Sequence, residues 1–218
     1  MKAAIFDLDG TLVDSAPDIA HAINRLLADR GVPAQAVPFV EGFVGEGARL
    51  LVAKLYDALS LSTDDLARDV ETYLAYYRER PAVDSRLYAD AATALPALRD
   101  AGVRLGVCTN KPQGLAETVL DHFGLRSLMS VVVGADTTPY TKPDPRPLLH
   151  ALDAMGVRPD DTVYVGDTGI DLACALAAGV RCRIVDWGTG RQVKVDAGWR
   201  LASFGDLVPP AARAAAAG

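Results

Sequence analysis

The chain opens on a short apolar run over residues 3–6 that is broken at once by Asp7-Leu8-Asp9-Gly10. An apolar run this short, with no helical period, reads as a strand buried on both faces of a parallel sheet. From Pro17 the spacing changes. Ile19, Ile23, Leu26 and Leu27 fall on one helical face, Ser15-Ala16-Pro17-Asp18 suits a helix start, and Gly31-Val32-Pro33 suits a stop. A loop over 37–43 then leads to Gly45-Glu46-Gly47. A second helix runs through Leu50, Leu51, Lys54, Leu55 and Leu59. A third opens at Asp64-Asp65 and turns Leu66, Val70, Tyr73, Leu74 and Tyr77 inward. No strand pattern interrupts residues 15–80.

Beyond Leu87-Tyr88 the pattern alternates. Helices are expected over 91–101, 113–123, 146–155 and up to Gly179. Strands are expected over 103–108, 130–133, 162–165 and 181–185, with loops over 136–147 and 187–190. Such alternation predicts an α/β fold with a doubly wound parallel sheet, and the helical stretch is then an insert. The expected division is a core of 1–14 and 86–208, a helical cap over 15–85, and an alanine-rich tail over 209–218 that is disordered. No internal repeat is visible.

Composition narrows the function. The 218 residues are 50% hydrophobic and 23% charged, enough for a sizeable core in a soluble protein. Net charge is -6 and no basic patch stands out, which argues against nucleic acid. No stretch is apolar and long enough to span a bilayer, and the start is too short for a signal peptide, so no membrane and a cytoplasmic location are expected. Cys108, Cys174 and Cys182 lack metal-ligand spacing and lie among apolar residues, as buried reduced thiols do.

In a parallel sheet the strand C-termini share one edge, where ligands bind. Here that edge collects Asp7 and Asp9 from the first strand, Thr109-Asn110 from a second, and Asp167 from the fourth. Lys142 lies in the preceding loop. Any one of these could be a turn residue, a helix cap or a solvated lysine. Together, on one edge, they are a site. Gly10 allows a sharp turn or close approach to a ligand. Asp171, four residues after Asp167, can share its face if a helix has begun. Carboxylates gathered so closely need a hard cation, and Mg2+ suits carboxylates plus a substrate phosphate. Thr109, Asn110 and the helix start after Lys111-Pro112 offer donors to a phosphoryl group, and Lys142 adds a point charge.

The string Asp7-Leu-Asp9-Gly-Thr-Leu-Val-Asp-Ser resembles the first motif of the haloacid-dehalogenase-like (HAD) hydrolases. Thr109 matches the second motif, Lys142 the third and Gly166-Asp167-Thr-Gly-Ile-Asp171 the fourth, so the resemblance covers essentially the whole chain. The insert matches that family's helical C1 cap. More narrowly, three stretches are similar to the bacterial phosphoglycolate phosphatase group: Asp14-Ser15-Ala16-Pro17-Asp18, Val44-Gly45-Glu46-Gly47-Ala48-Arg49-Leu50-Leu51 and Thr109-Asn110-Lys111-Pro112.

The resemblance implies a phosphatase that acts through an aspartyl phosphate on a small phosphomonoester, with 2-phosphoglycolate first among candidates. Asp7 is then the nucleophile and Asp9 the acid and base, with Lys142 as third catalytic group. Gly10, Thr109, Asn110 and Lys111 bind phosphate. Mg2+ is held by Asp7, Asp9 (through its carbonyl) and Asp167, with Asp171 beside them. Gly45, Gly47 and Arg49 of the cap would read the substrate's other end. A monomer or homodimer is expected. A phosphomutase, a phosphatase for another small phosphate, a metal-free dehalogenase and a catalytically silent module are the alternatives. The carboxylates Asp9 and Asp167 argue against the dehalogenase, and four undamaged motifs argue against silence.

Overall fold

The computed structural model describes residues 1–210. The tail expected over 209–218 therefore lies, from 211 on, outside the described residues. The first strand, β1 (Ala3–Phe6), is buried at every position. A two-residue strand, β2 (Val13–Asp14), follows it. Four helices come next: α1 (Ala16–Asp29), α2 (Val37–Glu41), α3 (Ala48–Ala58) and α4 (Leu66–Glu79). The short β3 (Arg86–Leu87) closes this stretch by pairing antiparallel with β2.

Alternation then sets in: α5 (Ala91–Asp100), β4 (Arg104–Cys108), α6 (Gln113–His122), β5 (Met129–Val133), α7 (Arg146–Met155), β6 (Thr162–Gly166), α8 (Gly169–Ala177), β7 (Arg181–Val185) and β8 (Arg200–Leu201). The six longer-range strands form one parallel sheet in the order β5-β4-β1-β6-β7-β8. The chain leaves β1 in both directions, first to β4 and β5 and later to β6, β7 and β8. This makes β1 the switch point, outside whose C-terminal end an open α/β sheet binds ligands.

Alternation along β1 decides which face each residue serves. Ala4 and Phe6 join the cluster with Leu95 and Leu98 of α5 and Val119 and Leu120 of α6. Ala3 and Ile5 join the opposite one, with Leu148 and Leu152 of α7 and Cys174 of α8. Both faces are covered, so the central strand must be apolar throughout. All three cysteines are free and buried, as expected. A third cluster, Ile19, Ile23, Leu26, Leu27, Leu55, Tyr56, Tyr73 and Tyr77, belongs to α1–α4, and Leu115 of α6 reaches into it. No helix of the described residues is long and apolar enough to cross a membrane.

The helices stop where the sequence says they should. After α1, Gly31 takes φ +68°, and the Val32 N–H reaches the Leu27 carbonyl at 2.9 Å. This is the left-handed C-terminal turn that glycine favours. Three elements depart from the sequence reading. A short helix, α2, occupies part of the expected 37–43 loop, and an edge-to-face contact of Phe39 with Phe43 (5.3 Å) accompanies it. The β2–β3 ribbon and β8 have two residues per strand, too few to show any period.

One buried carboxylate ties α1 to the chain's return. Asp18 is fully buried in the first turn of α1. It accepts hydrogen bonds from the backbone N–H groups of Asp84 (3.0 Å) and Ser85 (2.8 Å) and from the Ser85 hydroxyl (2.6 Å). Removing it strands buried donors, which costs about 1–3 kcal/mol. Asp18→Ala is therefore expected to lower unfolding free energy by about that amount in a urea titration, and Asp18→Asn, which keeps one acceptor oxygen, by less. Equal stability of Asp18→Ala and the parent chain would show that this junction is not a structural tie.

Candidate active site

Asp7 continues β1 by one residue, its N–H bonded to the Val165 carbonyl at 2.8 Å. The chain then turns tightly. Gly10 donates to the Val13 carbonyl (2.8 Å), and Leu12 and Val13 both donate to the Leu8 carbonyl (3.0 Å). Gly10 has φ +82°, and a Cβ there would stand 2.3 Å from Asp167 Oδ2. Glycine is required at this position because the turn lies directly against the second acidic strand end. The Gly10 N–H that could serve phosphate is engaged within the turn.

Asp167 directly follows β6, and Asp171 stands in the first turn of α8 in a reciprocal cap with Thr168. Asp171 Oδ2 accepts from the N–H of Asp167 (3.2 Å) and of Thr168 (3.0 Å) and from the Thr168 hydroxyl (2.6 Å). Its Oδ1 accepts from Lys142 Nζ (2.7 Å) and Tyr164 (3.0 Å). Both Asp171 oxygens are thus occupied by the chain itself. Asp167 accepts from the hydroxyls of Thr11 (3.0 Å) and Thr189.

Lys142 is fully enclosed. Its ammonium lies 2.7 Å from Asp171, 2.9 Å from Asp7 Oδ1 and 2.9 Å from the Tyr164 hydroxyl. The approach to Asp7 is close but off-line, so Asp7 Oδ1 stays buried with a charge beside it and no aligned hydrogen bond. Burial pushes the Asp7 carboxyl up to about 6, opposed by Lys142 and reinforced by Asp171. Burial, with repulsion from Asp171 and Asp7, also raises Asp167 well above the usual carboxylate range. Burial works to raise Asp171 too, but Lys142 and the Thr168 hydrogen bonds outweigh it and hold that carboxyl low. Lys142 is raised, since Asp171 and Asp7 overcome the cost of burying it. Carboxylate oxygens of Asp7, Asp167 and Asp171 lie within 4.8 Å of one another.

The remaining expected residues divide. Thr109 is buried at the end of β4, and its hydroxyl accepts from the Lys111 N–H at 3.3 Å. Asn110 uses its whole amide on the chain: it accepts from the Lys142 N–H (2.9 Å) and donates to the carbonyls of Lys142 and Gly45 (both 3.0 Å). It therefore holds the Lys142 loop and the Gly45 loop together. Lys111 meets Asp9, with Nζ 2.9 and 3.0 Å from the two carboxylate oxygens, while Ser15 donates to Asp9 at 2.6 Å.

Between sheet edge and helices lies a cavity of about 40 Å³, walled by Asp7, Asp9, Thr109 and Lys111 below and Gly45, Gly47, Tyr73 and Tyr77 above. Arg49 is exposed and does not line it. Gly47 has φ +90°, and a Cβ would come 3.3 Å from the Asn110 carbonyl. Tyr164 and Thr189 escaped the sequence reading. The tyrosine lies in a strand with nothing polar beside it in sequence, and the threonine lies in a loop without a motif. That Tyr164 would face Lys142 follows only once the register of β6 is known.

Residues 4–185 match the family model described as haloacid dehalogenase-like hydrolase. A phosphoglycolate phosphatase of Rhodospirillum rubrum is 43% identical over 212 residues, covering 94% of this chain and 88% of that protein. A crystal structure from Haemophilus somnus, described as a predicted phosphoglycolate phosphatase, superposes with a TM-score of 0.85. It is 30% identical and covers 95% of this chain and 96% of its own. The structure of CbbY from Rhodobacter sphaeroides in complex with phosphate has a TM-score of 0.77 at 25% identity, covering 97% and 98%. With a family model spanning most of its length and a relative this similar, the chain belongs to the haloacid dehalogenase-like hydrolases.

Proposed function

We propose that this hydrolase, a phosphatase, removes the phosphoryl group from 2-phosphoglycolate through an aspartyl phosphate on Asp7, with Mg2+ as its metal. The observation that carries the reading is the buried Asp7 oxygen, which lies beside Lys142 without an aligned hydrogen bond at the end of the central strand. A carboxylate in that state is a nucleophile or a metal ligand awaiting its partner. The identity of the relatives supports the substrate.

The donor set fits a hard cation: two raised carboxylates, Asp7 and Asp167, face each other at the edge. Asp7, Asp167 and the Asp9 carbonyl would hold it. Asp171, whose oxygens are already taken, would act through Lys142. When bound, the ion supplies positive charge to the phosphoryl oxygens. The chain's residues do the rest. Asp7 attacks phosphorus, the ester P–O bond breaks, and Asp9 gives its proton to the departing alkoxide. Asp9 then takes a proton from the water that attacks the aspartyl phosphate, which frees Asp7 and phosphate. Lys142 stabilises charge on Asp7 and the transferring group. We read residues 15–85 as a cap that closes over this edge and excludes water.

Phosphate release from a panel of small phosphomonoesters, with and without Mg2+, tests the reading. Release that requires a bisphosphate activator would point instead to a mutase. Asp7→Asn keeps the shape but removes the attacking charge, and kcat is expected to fall about 10^3-fold or more. A variant with over about a tenth of parental activity would exclude Asp7 as nucleophile. Asp9→Asn should lower kcat by about 10^2 to 10^4-fold while leaving the Mg2+ requirement nearly unchanged. Asp167→Ala should raise the Mg2+ concentration needed for half-activity. Identical magnesium titrations for these two variants would contradict the division of roles.

A further inference from the structure

The cavity holds one cation among its lining residues, and it is Lys111. Its side chain is 5% exposed. The ammonium sits against both Asp9 oxygens and 4.2 Å above the Tyr77 ring. The ring is itself fixed, because its hydroxyl donates to the Pro81 carbonyl at 2.9 Å. The lysine is therefore held in place from both sides, by the sheet edge through Asp9 and by α4 through Tyr77. Lys142 is held by Asp7, Asp171 and Tyr164 and does not line the cavity.

We propose that Lys111 binds the carboxylate of the substrate, one methylene away from the ester oxygen. This rests on the reading above that the substrate is a small phosphomonoester with a second anionic end.

Three observations carry it. The first is position. In the mechanism proposed above Asp9 meets the ester oxygen, and Lys111 Nζ lies 2.9 and 3.0 Å from its two carboxylate oxygens. A carboxylate one methylene from that oxygen is then expected beside the ammonium, and one held on a longer arm is expected to fit less well. The second is environment. Ile19, Leu51, Leu74 and Leu115 complete the wall, so a carboxylate entering here leaves water and needs a cation in contact. In such surroundings the pairing is stronger than at a surface. The third is the lack of a competing cation. Arg49 is exposed and outside the cavity.

The test uses the full chain with Mg2+ and three substrates: 2-phosphoglycolate, ethyl phosphate (which lacks the carboxylate) and 3-phosphonooxypropanoate (one methylene longer). The parent chain is expected to favour 2-phosphoglycolate over both in kcat/KM. Lys111→Gln should cut the preference over ethyl phosphate by about tenfold or more, mostly through KM, and Lys111→Arg should keep much of it. If Lys111→Gln lowers kcat/KM equally on both substrates, the lysine acts only through Asp9 and the proposal falls, although the substrate reading stands. If the parent chain shows no preference for 2-phosphoglycolate over ethyl phosphate, the substrate reading falls and takes the proposal with it. The comparison with the longer phosphate needs no variant: equal kcat/KM on the two acids overturns the position assigned to Lys111 even if Lys111→Gln does not fold.

Discussion

The structure depends on one buried charge. An ammonium sealed from water must be matched by anions and by hydrogen-bond acceptors, and a missing partner costs about 3–5 kcal/mol. Lys142 satisfies this with Asp7 from β1, Asp171 from α8 and the Tyr164 hydroxyl from β6. Each partner is then held by something else. The Tyr164 hydroxyl lies 2.8 Å from the Cys108 carbonyl of β4 and shares its one proton between that carbonyl and Asp171, Asp171 is held by the Thr168 cap, and the Lys142 backbone is held on both sides by Asn110. The ends of β1 and β6 and the start of α8 thus meet at one nitrogen, with β4 tied in through Tyr164. The same arrangement leaves Asp7 close to a positive charge without an aligned hydrogen bond to it.

The site can be arranged this way because of the sheet order. With β1 between β4 and β6, the strand ends carrying Asp7, Thr109 and Asp167 are neighbours. The apolar alternation that buries both faces of the sheet supplies the rigidity, and the polar residues appear only where the strands run out. Across the gap to α1–α4 the named contacts are of another kind. Asn110 meets the Gly45 carbonyl, Lys111 meets the Tyr77 ring, and Leu115 enters the apolar cluster of the helices. Asn110, Lys111 and Leu115, which make these contacts, all line the cavity.

Most of the core was legible in the sequence. The parallel strands are short apolar runs bounded by glycine and aspartate, and the helices have clear periods and glycine stops. Asp7, Asp9 and Asp167 were legible because their edge follows from alternation, whereas Lys142, in a loop, was singled out by the motif it resembles. What escaped had no local signature. Two-residue strands have no period, so β2, β3 and β8 were invisible. Asp18 looks like an ordinary first-turn acid, and only the return of the chain at 84–85 gives it donors. Arg49 and Lys111 were a harder pair. Both are basic residues near a helix start, and which of them faces the cavity is set by the packing of α3 and α6, which spacing does not encode.

The β2–β3 ribbon has a consequence for how such a chain can diversify. Val13 pairs with Leu87 and Asp14 with Arg86, so the stretch from 15 to 85 leaves and re-enters the sheet through two strands lying side by side. Paired antiparallel residues stand about 4.5–5.5 Å apart, a gap that a tight turn can close. Everything between those strands is topologically a single excursion from one point. A change of length within it need not alter any pairing of the six-stranded sheet. Selection can then rework what enters the site without disturbing the groups that act on it.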